Sequence, residues 1–310
     1  MTEQTIRTTV GFIGLGQMGK PMALRLIHED TDLRVTSKIQ DAYPQLQAQG
    51  ATPVESTGQL ANAQIIFLSL PGVNAIRDVL FGPEGLAQLL RPGTIVVDTS
   101  TVEHGATLEF HERLAKLGVD FLDAPVSGMQ SRAEAGTLTI MCGGEQRVFD
   151  AVYPWLARMG NNILFMGPAG SGQLAKLVNQ LLFDIHCAAL AEILPMSRHM
   201  GLDPAKVTSI INSGTGRSYA SEFFLPRILE RNFGDGYPLQ AAYKDLVSAA
   251  ELGARHCVPM PVLAAATATY QMSLLAGHGA KDKGAMVAFY EDLLDVSFQA
   301  DPAHKGANHV

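Results

Sequence analysis

Apolar residues alternate along the first half of the chain between short continuous runs and helically spaced sets. The runs Thr9–Ile13, Leu33–Ser37, Ile65–Leu70, Thr94–Asp98, Asp120–Leu122, Thr137–Cys142 and Ile163–Phe165 predict strands. Between them, Met18–His28, Tyr43–Gln49, Ala75–Leu80, Leu86–Leu89 and Glu103–Leu117 carry the wider spacing of helices. Strands separated by helices at this interval predict a mostly parallel sheet covered on both faces, the Rossmann-type α/β arrangement. The pattern changes near Gly167–Gly172. Residues 173–200 predict one long helix, about 40 Å at ~1.5 Å per residue, which Pro195 is expected to kink or end. Only helical patterns follow, at Pro204–Ile211, Phe224–Arg231, Leu239–Leu252, Val262–Leu275 and Lys283–Val296.

The expected organisation is therefore a Rossmann-type α/β domain over residues 1–168 and an all-α domain over 169–300. The helix 173–200 joins them. The polar residues 301–310 are expected to form a loose tail.

Composition removes several function classes. Hydrophobic residues make up 47% and charged residues 17% of the 310, which is globular rather than disordered composition. The net charge of −7 and the lack of a basic run give no means of neutralising a nucleic-acid backbone. Cys142, Cys187 and Cys257 are widely spaced, so neither a disulfide framework nor a structural zinc site is expected, and no metal is called for. No secretory leader is read in the first ten residues and no membrane span is expected elsewhere, so the expected location is cytoplasmic.

The sharpest local pattern is Gly14-Leu15-Gly16-Gln17-Met18-Gly19, placed after an apolar strand and at the start of a helix. In that context the first glycine makes the tight turn, the second lets a pyrophosphate approach the backbone and the third lets the helix pack on the sheet. The second strand ends in Ser37-Lys38, without the acidic residue that would bind an adenosine 2′-hydroxyl. A hydroxyl and an ammonium there favour NADP over NAD as cofactor, although Lys38 also reads as a solvated surface residue. Leu70-Pro71 and Ser100 lie at further strand ends facing the ligand crevice, where Ser100 either touches ligand or caps the next helix.

Two segments suit a small carboxylate. Ser127-Gly128 offers a hydroxyl and open backbone N–H groups just past a strand. Lys176 shares a helix face with Asn179 and Gln180, three and four residues on. A lysine with two neighbouring amides reads either as a proton-transfer group or as a surface lysine with polar neighbours.

The chain resembles the β-hydroxyacid dehydrogenases, the family of 3-hydroxyisobutyrate dehydrogenase, tartronate-semialdehyde reductase and 6-phosphogluconate dehydrogenase. Residues 11–23 (GFIGLGQMGKPMA), 123–128 (DAPVSG), 170–180 (GSGQLAKLVNQ) and 244–246 (KDL) carry the likeness in order, which spans residues 9–297. The resemblance implies hydride transfer between a nicotinamide and a small hydroxy acid or its semialdehyde. It implies Lys176 as general acid/base, Ser127 and Gly128 on the substrate carboxylate, and Asn179 orienting the substrate. It also implies Lys244 and Asp245 beside the nicotinamide, Ser100 near both ligands, no metal, and a homodimer or homotetramer. Three positions depart from the family pattern: Met129 where glycine is frequent, Gln180 where asparagine is common, and Ser37-Lys38-Ile39 where Asn-Arg-Thr recurs.

The turn Gly214–Tyr219 resembles a segment of 2-(hydroxymethyl)glutarate dehydrogenase, so Arg217 reads either as the partner of a second substrate carboxylate or as half of an ordinary salt bridge. Two other functions remain open at this point. One is imine reduction on the same fold, against which Lys176 argues. The other is a non-enzymatic dinucleotide-binding assembly module.

Overall fold

The computed structural model describes residues 7–300. These form two compact units that divide between Lys176 and Leu177. The first begins with β1 (Thr8–Ile13), α1 (Gly19–Arg25), β2 (Thr31–Thr36), α2 (Tyr43–Ala48), β3 (Thr52–Pro53), β4 (Ile65–Leu68), α3 (Val73–Phe81), β5 (Ile95–Asp98) and α4 (His104–Ala115). It continues with β6 (Asp120–Asp123), β7 (Val126–Ser127), α5 (Met129–Ala135), β8 (Leu138–Gly143), α6 (Gln146–Met159) and β9 (Gly160–Gly167).

The sheet runs in the order 3-2-1-4-5-6-8-7, with β9 paired to β8. The pairings from β3 through β6 are parallel, whereas β8 meets β6 and β7 antiparallel. Strand order reverses between β1 and β4, so the ends of these two strands open the crevice where such sheets bind ligands. All four residues of β4 (IIFL) are buried, as expected of a strand with both faces covered. Phe12 and Phe67 stack across β1 and β4, with ring centroids 6.1 Å apart.

α6 is not among the predicted elements. Its buried residues Val148, Val152, Leu156 and Met159 follow helical spacing, and its internal Pro154 is exposed. Packing of that apolar face outweighs the lost backbone bond at the proline.

α7 (Ser171–His199) spans the division between the units. It starts two residues before the predicted 173 and ends one before 200. It also runs through Pro195, so the predicted termination there is not found. Burial of Ala191 and Leu194 beside the proline holds this part of the helix on the core of the second unit. By length and composition α7 could cross a membrane, with a mean hydropathy of 1.4 over its best window. Its inward face nevertheless supplies Cys187, Ala188, Ala191 and Leu194 to an apolar cluster, as a core helix does. The second unit is completed by α8 (Pro204–Ser213), α9 (Tyr219–Leu229), α10 (Leu239–Arg255), α11 (Pro261–Leu275) and α12 (Val287–Leu294). The tail expected at 301–310 lies outside the described residues.

The core of the second unit contains a charge pair. Lys283 is 1% exposed and its ammonium donates to Asp184 Oδ1, which is also buried. The Tyr270 hydroxyl donates to the same oxygen at 3.1 Å, and the Lys283 Nζ lies 4.3 Å from the centre of the Phe183 ring. Burial, followed by the negative charges around it, pushes the Tyr270 phenol well above its ordinary pKa. Removing one member of such a pair leaves a charge without its counter-ion in the core. Asp184→Ala is expected to lower the unfolding free energy by about 3 to 5 kcal/mol in denaturant titration. Asp184→Leu combined with Lys283→Met should recover most of that loss, and a double variant as unstable as the single one would refute the assignment.

Candidate active site

The turn after β1 distinguishes the roles of its three glycines. Gly14 has φ +98°, and a Cβ there would stand 2.2 Å from the Ser69 carbonyl oxygen. A Cβ on Gly19 would stand 1.9 Å from the Gly14 carbonyl oxygen. Both positions are closed to side chains by backbone. Gly16 has nothing within 4 Å of its Cβ position, so its missing side chain leaves open space beside the backbone. That is the cradle a pyrophosphate requires, and the residues present fit a nicotinamide dinucleotide.

Ser37 is tied to this turn. Its Oγ accepts from the Leu15 N–H at 3.3 Å and from the Ile39 N–H at 3.2 Å, which leaves the hydroxyl proton to donate elsewhere. The Tyr43 hydroxyl brackets the Ser37 backbone, accepting from its N–H at 2.9 Å and donating to its carbonyl at 3.2 Å. Lys38 is exposed at the strand tip. Leu70 and Ser100 are also joined, with the Leu70 N–H donating to Ser100 Oγ at 2.9 Å.

Beneath Ser100 lie two carboxylates that the sequence did not single out. Asp98 and Asp123 end β5 and β6, are paired in register, and are both fully buried. Asp98 Oδ1 accepts from the Ser100 N–H at 2.9 Å. Its Oδ2 is buried without a hydrogen-bond partner. Burial raises the Asp98 pKa to about 7, against the opposing pull of the Ser100 hydrogen bonds and with the help of the negative Asp123. Asp123 Oδ1 accepts from the Gly170 N–H at 2.7 Å and Oδ2 from the Gln173 N–H at 2.9 Å. Burial raises its pKa as well, to about 6, while those backbone donors pull it down.

Gln173 joins the same assembly. Its Nε2 donates to the Ser100 carbonyl at 2.8 Å, and its Oε1 accepts from the Val102 N–H at 3.2 Å. One turn along α7, Lys176 is 8% exposed, and the buried class of residues seldom includes lysine. Ser127 and Gly128 close β7 and open α5, and Gly128 has φ +138°. Met129 follows at φ +61°, in the left-handed region that glycine occupies most easily. Its departure from the family pattern therefore falls on a residue whose backbone favours glycine.

In the second unit, Gln180 Nε2 lies 3.5 Å from Asp245 Oδ2, which joins α7 to α10. Asn179 and Lys244 are exposed. Tyr237 is half-exposed, and burial together with the charges of Asp245 and Asp184 raises its pKa. Arg217 is exposed and pairs with Glu222 at 3.5 Å. Each unit thus gathers part of the expected set: Leu15, Ser37, Leu70, Ser100 and the start of the Lys176 helix in the first, Gln180 and Asp245 in the second. Asp98, Asp123 and Gln173 are additions, and only their closeness to quoted motifs could have drawn attention to them. No group of His, Cys, Asp or Glu suited to a metal ion occurs among the described residues.

Residues 9–167 match the family model described as the NAD binding domain of 6-phosphogluconate dehydrogenase. Residues 170–290 match the one described as NAD-binding of NADP-dependent 3-hydroxyisobutyrate dehydrogenase. The chain is 38% identical over 290 residues to 2-(hydroxymethyl)glutarate dehydrogenase of Eubacterium barkeri, covering 93% of this chain and 96% of that protein. It is 34% identical to 2-hydroxy-3-oxopropionate reductase of Escherichia coli K12, covering 91% and 97% respectively. Among solved structures, a 3-hydroxyisobutyrate dehydrogenase from Salmonella typhimurium superposes with a TM-score of 0.83 at 26% identity, covering 91% of this chain and 99% of that one. An imine reductase from Pseudomonas sp. shares only the fold, at 16% identity and a TM-score of 0.55.

The Asp98 carboxyl predicts a pH effect on stability. Its folded pKa of about 7 exceeds its unfolded value of about 4. Its contribution to stability is therefore fully present below pH 4 and is lost as the pH rises through 7. Asp98→Asn keeps an oxygen for the Ser100 N–H and removes the titration. Between pH 5 and pH 8 the wild type should lose about 2 kcal/mol more stability than this variant. Equal losses in parallel denaturant titrations would show that Asp98 does not hold a proton in the folded state.

Proposed function

The chain belongs to the β-hydroxyacid dehydrogenase family and is an NAD(P)-dependent 3-hydroxyacid dehydrogenase, and on that premise we propose that Lys176 is its general acid/base. The observation that carries this reading is the burial of Lys176 on α7, one turn from the Asp123 and Gln173 contacts. A lysine in that setting is held at one place and shielded from bulk water. It can give its proton to the carbonyl oxygen of a semialdehyde and take it back from the hydroxyl of the acid.

The cofactor supplies the hydride at the substrate carbon. The protein's own task is alignment and proton management. Ser127 and Gly128 are proposed to bind the substrate carboxylate through the hydroxyl and backbone N–H groups. Asn179 and Gln180 follow Lys176 on the same helix face and would orient the substrate beside it. Lys244 and Asp245 are proposed to line the nicotinamide side. Gly14 through Gly19 would hold the pyrophosphate, with Leu70, Pro71 and Ser100 along the crevice.

NADP is the preferred cofactor in this reading. The Ser37 hydroxyl proton and the exposed Lys38 ammonium both suit a 2′-phosphate, and no carboxylate at that strand end opposes it. The substrate is a short hydroxy acid or its semialdehyde. A second acidic group is favoured by the likeness to a dehydrogenase of 2-(hydroxymethyl)glutarate, and Arg217 is its candidate partner if it exchanges Glu222 for the substrate. We also read the protein as a cytoplasmic homodimer or homotetramer. The exposed apolar side chains of α7, among them Val178, Leu182, Ile193 and Met196, support association with further copies.

The deciding assay follows NADPH and NADH absorbance separately against tartronate, methylmalonate and succinate semialdehydes and 2-formylglutarate. Turnover with NADPH preferred is expected. Lys176→Ala should lower kcat by about 10² to 10⁴. Arg217→Ala should raise KM for 2-formylglutarate and leave the monocarboxylates unchanged. Undiminished turnover in Lys176→Ala would reject the proton-transfer role, and equal effects of Arg217→Ala on all four substrates would reject the second carboxylate site.

A further inference from the structure

We propose that Asp123 is a positioning residue for the reaction, fixing the first turn of α7 and through it the Cα of Lys176. The proposal rests on the reading of Lys176 as the acid/base.

An α-helix begins with backbone N–H groups that have no partner inside the helix. In most helices a side chain at or next to the start serves them. α7 begins Gly170-Ser171-Gly172-Gln173, and its partner comes from a distant strand. The N–H groups of Gly170 and Gln173 donate to the two oxygens of Asp123 at 2.7 and 2.9 Å. The Ser171 N–H donates to the Pro168 carbonyl at 3.0 Å. The carboxylate is fully buried, so water cannot replace it at these donors.

The approach is unusually close. A Cβ on Gly143, the register partner of Asp123 on β8, would lie 2.7 Å from Asp123 Oδ1 and 2.7 Å from the Gly172 nitrogen. A Cβ on Gly172 would lie 2.3 Å from the Met141 carbonyl oxygen and 2.8 Å from Asp123 Oδ2. Two glycines are required for β6, β8 and α7 to meet around one carboxylate.

The consequence lies in what leaves this junction. Along α7, Lys176 follows Gln173 by one helical turn, so its Cα is fixed by rigid backbone. From Asp123 itself the chain leads on through Ala124-Pro125-Val126 to Ser127 and Gly128. One buried carboxylate therefore sets the origin of both the lysine helix and the segment proposed to hold the substrate carboxylate. Asp123 touches neither substrate nor cofactor in this account, and it acts through those two segments.

Asp123→Asn is the test, because asparagine keeps the size but presents an amide donor to at least one backbone N–H. The expected result is a split. kcat should fall about 10- to 100-fold, the scale of a displaced reacting group, while the Kd for NADPH measured by fluorescence and the thermal midpoint change little. Asp123→Ser, which is smaller and cannot serve both N–H groups at once, should give the same split and serves if Asp123→Asn does not fold. A kcat within about twofold of wild type would overturn the proposal. So would a joint loss of kcat, NADPH affinity and thermal midpoint, which would mark Asp123 as a general fold element. Lys176→Ala measured alongside separates the two readings. If it keeps wild-type turnover, the acid/base reading fails and this proposal with it. If it is inactive while Asp123→Asn is fully active, only the positioning role is lost.

Discussion

Two carboxyl groups end neighbouring parallel strands in the interior of the first unit, and buried polar groups persist there only where partners are brought to them. Asp98 and Asp123 meet no lysine or arginine in their hydrogen bonding. Their partners are backbone N–H groups, from Ser100 for one and from Gly170 and Gln173 for the other. These contacts fix the course of the β5–α4 connection and the place where α7 begins. Gln173 then bridges the two results, bonding Ser100 and Val102 from the helix turn that Asp123 holds. Connections that would otherwise be mobile surface loops become cross-braced at the strand ends where ligands bind.

Such crowding depends on the absence of side chains, and the two glycine-rich regions use that absence in opposite ways. At Gly14, Gly19, Gly143 and Gly172 a Cβ would collide with backbone, so the missing side chain permits contact within the protein. At Gly16 the same deletion leaves vacant space. A close internal approach stabilises the turn, whereas a vacancy beside exposed N–H groups is useful only to a ligand. Of the three glycines of the β1–α1 turn only Gly16 is open, and it is the one proposed to face the pyrophosphate.

These distinctions show why some features were legible in the sequence and others were not. The glycine turn, the strand it follows and the long helix are local, and spacing alone finds them. The geometry shows backbone crowding at Gly14 and Gly19 and open space at Gly16. Asp123 stood inside a quoted motif, yet its donors lie 47 and 50 residues away, so nothing local announced its partner. Gln180 reaches Asp245 across 65 residues and was equally invisible as a pair. α6 was missed, and Pro195 was expected to kink α7 or end its regular part, because proline weighs heavily in local propensity while the apolar face that keeps the helix going acts through tertiary packing. Met129 is a subtler case. Its sequence showed a departure from a frequent glycine, but only the backbone shows that the position is left-handed.

The two units solve the problem of buried charge differently. In the helical unit, Asp184 is answered by side chains, Lys283 and Tyr270, whose long stems leave freedom to adjust. In the sheet unit the answering groups are peptide N–H groups, which the chain holds in place and which do not ionise at ordinary pH. A site that must hold a reacting atom within a fraction of an ångström benefits from the second arrangement, since errors in supporting groups pass directly to the group they support. A lysine side chain is flexible along four carbons. The precision that the proposed acid/base role asks of Lys176 would therefore come from the placement of its Cα and from the burial of its stem, and the backbone-to-carboxylate contacts one turn before it are the proposed source of the first.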